Sequence, residues 1–493
     1  VKFNAKVSKI LAKSHNGLFM IDNCTTALQI AHHIKSLKIS PTEVLEHFWA
    51  QIDAKNSYIN AVIWEDRALA LKKAQYIESE LSKKNSTSAD RPFLGVPLLV
   101  KDLTEVKDQP CTMGSVAYKN EIGKNTGDIV RFSEEAGFIL AGRTNSPEFG
   151  ILPVTENKLY GTTSNPWNLN HTAGGSSGGA AAAVASGMSP IALASDGGGS
   201  IRIPASCNGL VGLKPSRGRI PRGPIVSDVF HGFVTDGCVS KSVQDTAAFL
   251  DATARDDRNA WYSAPTFDKS YLTECQKKPG KLRIGFNVRG LFDYETAPEV
   301  IEVFEQTIEQ LQTLGHHVFE QKLPFHATGN VADSFLKIWM TGSAYTSDCN
   351  WQVCEDLTQA MRKIALKQTS VEYVQAVMHL QLFSRHFAQF FHETMDVFLT
   401  PTLAIEPPEN GWLFETGEKD PVDLLLRASR MVPSTGWVNA TGQPAISLPM
   451  GWSPNNIPVG MQFVGQPYRE DTLLKLAFQI EQNYPWSAKY REI

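Results

Sequence analysis

The chain has 493 residues, 42% hydrophobic and 20% charged, which excludes disorder, collagen or coiled coil as a description of the whole. Its 47 Lys and Arg against 51 Asp and Glu give a net charge of −4, so no surplus positive charge is available for a nucleic-acid backbone. A chain of this length buries a large core without disulfide or metal staples.

In chain order, the opening VKFNAKVSKILAK sets Lys2, Lys6, Lys9 and Lys13 among apolar residues. It reads as a packing segment in preference to a membrane-surface helix. Numbering starts at Val1, not Met, which is compatible with a removed leader. The first ninety residues read as helices. Ser40-Pro41-Thr42-Glu43 supplies a capping serine, a proline at the first helical position and a glutamate at the third. Val44, Leu45, Phe48, Trp49 and Ile52 follow at helical spacing. A second helix is predicted from Asp66 to Leu81, and Asn85 to Asp90 is a polar linker. Beyond it, Leu94 to Val100 reads as a buried strand ending in Lys101-Asp102. Gly127 to Ala136 is helical, Gly137 stops it, and Phe138 to Ala141 is a strand. Ala180 to Ser186 reads as a helix of small residues and Pro190 to Ala194 as a strand.

In the second half, strands are predicted at Lys281 to Gly285, Val318, Val397 to Thr400, Pro444 to Pro449 and Val459 to Val464. Helices are predicted at Pro298 to Leu314, Ser370 to Thr394 and Asp471 to Gln482. The alternation argues for an α/β fold, with a mixed central β-sheet covered by helices on both faces. The polar stretch Asp251 to Gly280 is a candidate separator between two lobes. Two runs, Leu159 to Ser195 and Met431 to Tyr468, lack charge, but glycine, proline and hydroxyl residues make them poor membrane spans. The seven cysteines are odd in number and loosely spaced, which argues for reduced, buried thiols. Cys349 and Cys354, five apart, do not share a helix face. These features fit a cytoplasmic protein, and a secreted or periplasmic form with its signal removed would read the same.

The densest chemical signal is a pair of glycine-rich loops, Ala173-Gly174-Gly175-Ser176-Ser177-Gly178-Gly179 and Ser195-Asp196-Gly197-Gly198-Gly199-Ser200-Ile201-Arg202. Glycines let such backbone approach a ligand closely, and consecutive N–H groups make an anion cradle. A phosphate loop would need Gly-Lys-Ser/Thr, which neither has. Gly174-x-Ser176-x-Gly178 formally matches a nucleophile elbow, but Asn168 to Thr172 before it is not strand-like. His392-Glu393-Thr394-Met395-Asp396 lacks the second histidine of a zincin, so no metal is expected there; no ligand set for a metal is visible, and no cofactor is expected. Taken alone, Lys101-Asp102 reads as a surface ion pair.

These loops resemble the amidase signature family. Further stretches carry the resemblance: Lys101-Asp102, Gly142 to Gly150, Ser164 to Asn168, Cys207 to Ser216, Asp396 to Thr402 and Thr441 to Pro449. The resemblance implies a Ser–cis-Ser–Lys set, with Ser200 as nucleophile, Ser176 as bridging serine on a cis peptide and Lys101 as base. It implies an acyl-enzyme cycle that hydrolyses a linear or cyclic amide. Backbone N–H groups of Gly197, Gly198, Gly199 and Ser200 would face the oxyanion, and the backbone after Glu148-Phe149, from Gly150, would line the cleft. A serine needs such a base, and a lysine serves only when neutral, as burial in an apolar strand end makes it. Asp196 and Arg202 read as a pair holding the loop in shape, with carboxylate gripping by Arg202 as the alternative. Ser177 is expected to bond within its loop or to Lys101.

Within the family, Gly218 to Pro224, Asn439 to Pro444 and Tyr484-Pro485-Trp486 look most like stand-alone hydrolases of the 6-aminohexanoate-cyclic-dimer group. A fatty-acid amide hydrolase-like enzyme, the A-type subunit of a tRNA-dependent amidotransferase and a binding protein with idle machinery are the alternatives. Pro147-Glu148-Phe149-Gly150-Ile151-Leu152 departs from the Asp-Glu-Phe-Ala-Met-Gly of the amidotransferase chain. The expected organisation is a helical segment, residues 1–90, packed on a catalytic domain, residues 91–493. The expected partner is a small-molecule amide, with no nucleic acid and no membrane span; a homodimer is compatible. Acyl-pocket walls are expected between Phe325 and Val438.

Overall fold

The computed structural model describes residues 20–83, 91–292, 294–325, 329–344 and 349–493. The basic opening segment and the Asn85–Asp90 linker lie outside the described residues.

Thirteen strands are found among the described residues. They are β1 (Val62–Trp64), β2 (Pro97–Lys101), β3 (Ile139–Thr144), β4 (Ser164–Asn165), β5 (Asn168–Thr172), β6 (Ile191–Asp196), β7 (Val211–Lys214), β8 (Thr235–Ser240), β9 (Arg283–Phe286), β10 (His317–Glu320), β11 (Val397–Pro401), β12 (Ala445–Trp452) and β13 (Pro458–Gly465). All but β4 and β5 form one mixed sheet, in the order β1-β3-β2-β6-β8-β7-β12-β13-β11-β9-β10. Strand side chains alternate between faces. Every residue of β2, β3, β6, β7, β8, β11 and β13 is buried, so both faces of the sheet are covered.

Local signals placed many elements. The helix Pro41–Ile59 begins with a complete capping box: Ser40 Oγ accepts from Glu43 N–H and the Glu43 carboxylate accepts from Ser40 N–H. Thr369 and Glu372 start the 25-residue helix Ser370–Thr394 in the same way. The glycine at 137, at φ 104°, ends the helix Asp128–Glu135 and turns the chain into β3.

Four expectations change. Residues 62–64 break the helical first ninety with an edge strand, antiparallel to β3. The stretch Asp251–Gly280 does not separate lobes. Strands from either side of it, β7 and β12, pair directly, and its short helix Tyr271–Cys275 packs on the helices Val243–Thr253 and Glu470–Asn483. Asn168–Thr172 is a strand after all. Its polar residues pair with β4 in a two-stranded ribbon outside the main sheet, so no apolar periodicity marks it. Cys349 and Cys354 do meet, at 3.4 Å between sulfurs, because the turn Trp351–Val353 folds the chain back. All seven cysteines are free and six are buried.

Among the described residues no helix is long and apolar enough to cross a membrane. The uncharged run 159–195 supplies β4, β5, the first glycine loop and β6 up to its last residue, and the run 431–468 supplies β12 and β13.

Candidate active site

The site forms where two parallel strands end together. β2 and β6 are parallel neighbours, so Lys101, the last residue of β2, and the loop after Asp196, the last residue of β6, emerge at the same sheet edge. β8 runs antiparallel to β6 and pairs Ser195 with Asp236, which brings the start of β8 to the same edge.

Lys101 is fully buried, and Asp102 does not pair with it. The Asp102 carboxylate turns away to accept from the N–H groups of Thr112 and Gly114 and the Thr112 hydroxyl. Lys101 Nζ instead contacts Ser176 Oγ at 2.7 Å, Ser195 Oγ at 3.2 Å and the Ser195 carbonyl at 3.5 Å. Burial disfavours its charged form. Asp196 and Asp236 act against that, Arg222 adds to it, and the group falls from the usual 10.5 to about 7. A lysine so placed is substantially neutral near pH 7.

Ser176 is buried on a cis Gly175–Ser176 peptide. The glycine at 150, at φ 69°, sits against it. A Cβ there would be 2.4 Å from Leu103 Cδ1 and 3.2 Å from Ser176 Oγ, so the cleft wall closes on this hydroxyl only as glycine. Glu148 fixes that wall by accepting from Ser115 Oγ at 2.6 Å and from Glu355 N–H at 2.8 Å. Ser177 bonds neither its own loop nor Lys101; its hydroxyl exchanges bonds with the Ser195 backbone.

Ser200 lies between β6 and the helix Arg202–Asn208, a strand–turn–helix placement on the main sheet. Its hydroxyl makes no hydrogen bond to a described residue. It shares a cavity of about 260 Å³ with Ser176, Ser195, Gly150 and Gly197. A second cavity, of about 130 Å³, opens on its other side.

The loop before Ser200 is held from behind by charge. Burial alone would raise the Asp196 carboxyl, but the Arg202 guanidinium holds it well below the usual carboxylate range. All five Arg202 N–H donors are engaged, by both Asp196 oxygens, the Thr435 carbonyl, Gln462 Oε1 and Asn439 Oδ1. Arg202 is thus unavailable to a substrate carboxylate. Asp196 also accepts from the N–H groups of Gly199 at 2.7 Å and Ile201 at 3.1 Å. The Gly199 N–H, expected to face an oxyanion, is therefore taken. Those of Gly197, Gly198 and Ser200 have no partner among the described residues.

Sequence reasoning gave Ser195 no role, and it missed the placement of Asp236 and Arg222. An ion pair at 2.8 Å joins these two, and both line the cavity of Ser176. Nothing local in the sequence marks these residues; strand adjacency brings them in.

Residues 43–474 match the family model described as Amidase. The 6-aminohexanoate-cyclic-dimer hydrolase of Pseudomonas species strain NK87 is 35% identical over 497 residues, covering 95% of this chain and 97% of the relative. The solved structure of 6-aminohexanoate cyclic dimer hydrolase complexed with substrate matches with a TM-score of 0.87 at 33% identity, covering 95% of this chain and 98% of that one. A glutamyl-tRNA(Gln) amidotransferase chain from Thermotoga maritima matches with a TM-score of 0.75 at 25% identity, covering 95% and 97%. With a family match across most of its length and a relative of this identity aligned nearly end to end, the chain belongs to the amidase signature family, hydrolases acting on carbon–nitrogen bonds of amides.

Proposed function

We propose that the chain hydrolyses a small amide through an acyl-enzyme on Ser200, with Lys101 as base and Ser176 as proton relay. One observation carries the reading: a fully buried lysine, pushed down to about 7, whose Nζ lies 2.7 Å from the Ser176 hydroxyl. Neutral Lys101 draws a proton from Ser176, which takes one from Ser200 as Ser200 Oγ bonds to the amide carbon. The N–H groups of Gly197, Gly198 and Ser200, which have no partner among the described residues, meet the oxygen that gains charge. The proton returns through Ser176 to the nitrogen as the C–N bond breaks. Water then attacks the ester by the same path, releasing the acid and restoring Ser200. Ser195 holds Lys101 Nζ in place through its hydroxyl. Asp196 and Arg202 keep the loop in shape.

A stand-alone hydrolase of small neutral amides, like the cyclic-dimer hydrolases, is favoured over a component of a transferase complex. Support comes from the higher TM-score, 0.87 against 0.75, and from Gly150-Ile151-Leu152 in the cleft wall. The purified chain alone is expected to release amine from simple amides, and Ser200→Ala to release none. Turnover appearing only with an added partner protein would reject the stand-alone reading.

A further inference from the structure

The two cavities beside Ser200 differ in chemistry. The smaller, about 130 Å³, lies between the helices Val331–Ala344 and Pro421–Met431 and is walled by Val331, Phe335, Trp339, Leu425, Ala428 and Trp437. No ionisable side chain lines it among the described residues, and its only side-chain hydroxyls are those of Ser200 and Ser429. The larger carries the Arg222–Asp236 pair, Glu105 and Asp128. Trp339 belongs to both walls. Its ring stacks on Phe335 at 5.5 Å and lies against the Gly197–Gly198 backbone, which makes it a partition.

The direction of proton transfer decides which portion of the substrate goes where. The leaving nitrogen must receive the proton that passes through Ser176. Ser176 lines the larger cavity and not the smaller. The amine portion therefore departs on the polar side, beside Arg222 and Asp236, and the acyl portion remains in the apolar pocket. An apolar cavity of roughly 150 Å³ holds a benzene ring, so a phenyl or pentyl group matches the volume here. A charged end placed in that pocket would lose its hydration without gaining an oppositely charged partner among the described residues.

We infer that this amidase selects substrates whose acyl portion is apolar, uncharged and about the size of a benzoyl or hexanoyl group, with the amine portion seated toward Arg222 and Asp236. This rests on the proton relay proposed above. It separates a hexanoyl amide from a 6-aminohexanoyl amide of nearly the same shape, because the latter carries an ammonium into a pocket whose lining, among the described residues, offers it no acceptor carboxylate.

The test holds the amine constant, as the p-nitroanilide, and varies the acyl group through acetyl, hexanoyl, benzoyl, 6-aminohexanoyl and adipoyl. Each buried methylene contributes about fourfold (~0.8 kcal/mol). The expected result is kcat/KM for hexanoyl and benzoyl at least about tenfold above acetyl, and for the two charged acyl groups at least about tenfold below hexanoyl. Ala428→Leu, which fills the pocket, should lower the hexanoyl-to-acetyl ratio. Leu425→Glu, at a half-buried rim position that tolerates a charge, should raise the 6-aminohexanoyl-to-hexanoyl ratio. Equal rates for charged and uncharged acyl groups, or unchanged ratios in both variants, would overturn the inference while leaving the relay intact. No turnover of any anilide, together with no serine labelling by a fluorophosphonate, would overturn the relay itself.

Discussion

The pH dependence of kcat/KM isolates the proposed base, because that ratio reports the ionisation of the free enzyme. With Lys101 at about 7, its neutral fraction is about 0.1 at pH 6, 0.5 at pH 7 and 0.9 at pH 8. The rate should rise about tenfold between pH 6 and 8 and then level off. A lysine left at 10.5 would instead give about tenfold per unit through pH 9, with no plateau. The charges around Lys101 supply two perturbations of opposite sign. Arg222 disfavours the ammonium, so Arg222→Gln should move the rising limb to higher pH. Asp236 favours it, so Asp236→Asn should move the limb to lower pH. The ion pair between these two makes each loss reinforce its own direction, since the charge left behind is unneutralised. Initial rates on one neutral amide from pH 5.5 to 9.5, for parent and both variants, give the three limbs. A flat profile, or limbs displaced in the reverse order, would refute Lys101 as the base.

Two other perturbations follow from the loop. Asp196→Ala leaves Arg202 buried without its partner and frees the N–H groups of Gly199 and Ile201, so denaturant unfolding should show a loss of about 3–5 kcal/mol. Gly199→Ala places a methyl 2.5 Å from Thr435 Oγ1 at φ 130°, displacing the backbone before Ser200; kcat should fall by about 10²–10³, with KM changed far less.

Much of the fold was legible where end signals and apolar runs coincide. The start of the helix Ser370–Thr394 was read to the residue and its end approximately, because Thr369 and Glu372 mark its start and Pro401 lies beyond the strand that follows it. β7 and β8 were not read as strands. Thr235-Asp236-Gly237-Cys238-Val239-Ser240 is polar and its burial depends on β6, forty residues earlier in the chain. The three residues of the proposed relay were legible only through the resemblance. On its own, Lys101 beside Asp102 suggests an ion pair that the Thr112–Gly114 turn in fact removes. The bond from Gly199 N–H to Asp196 had a local signal, an aspartate three residues ahead, but the expected oxyanion role masked it. Only part of the pocket wall, from Val331 to Trp437, lies in the stretch from Phe325 to Val438; Ile151, Leu152, Ile203 and Leu291 line it from outside that stretch, and its apolar character depends on the helices Val331–Ala344 and Pro421–Met431 both lining it beside Ser200.

The central claim is that Ser200 is activated by Lys101 through Ser176. Intact-mass labelling with a fluorophosphonate tests it most directly, on the parent, Ser200→Ala and Lys101→Met at pH 8. The account predicts one adduct on the parent, none on Ser200→Ala and labelling slowed by orders of magnitude in Lys101→Met. An adduct retained on Ser200→Ala, or full-speed labelling without Lys101, would contradict it.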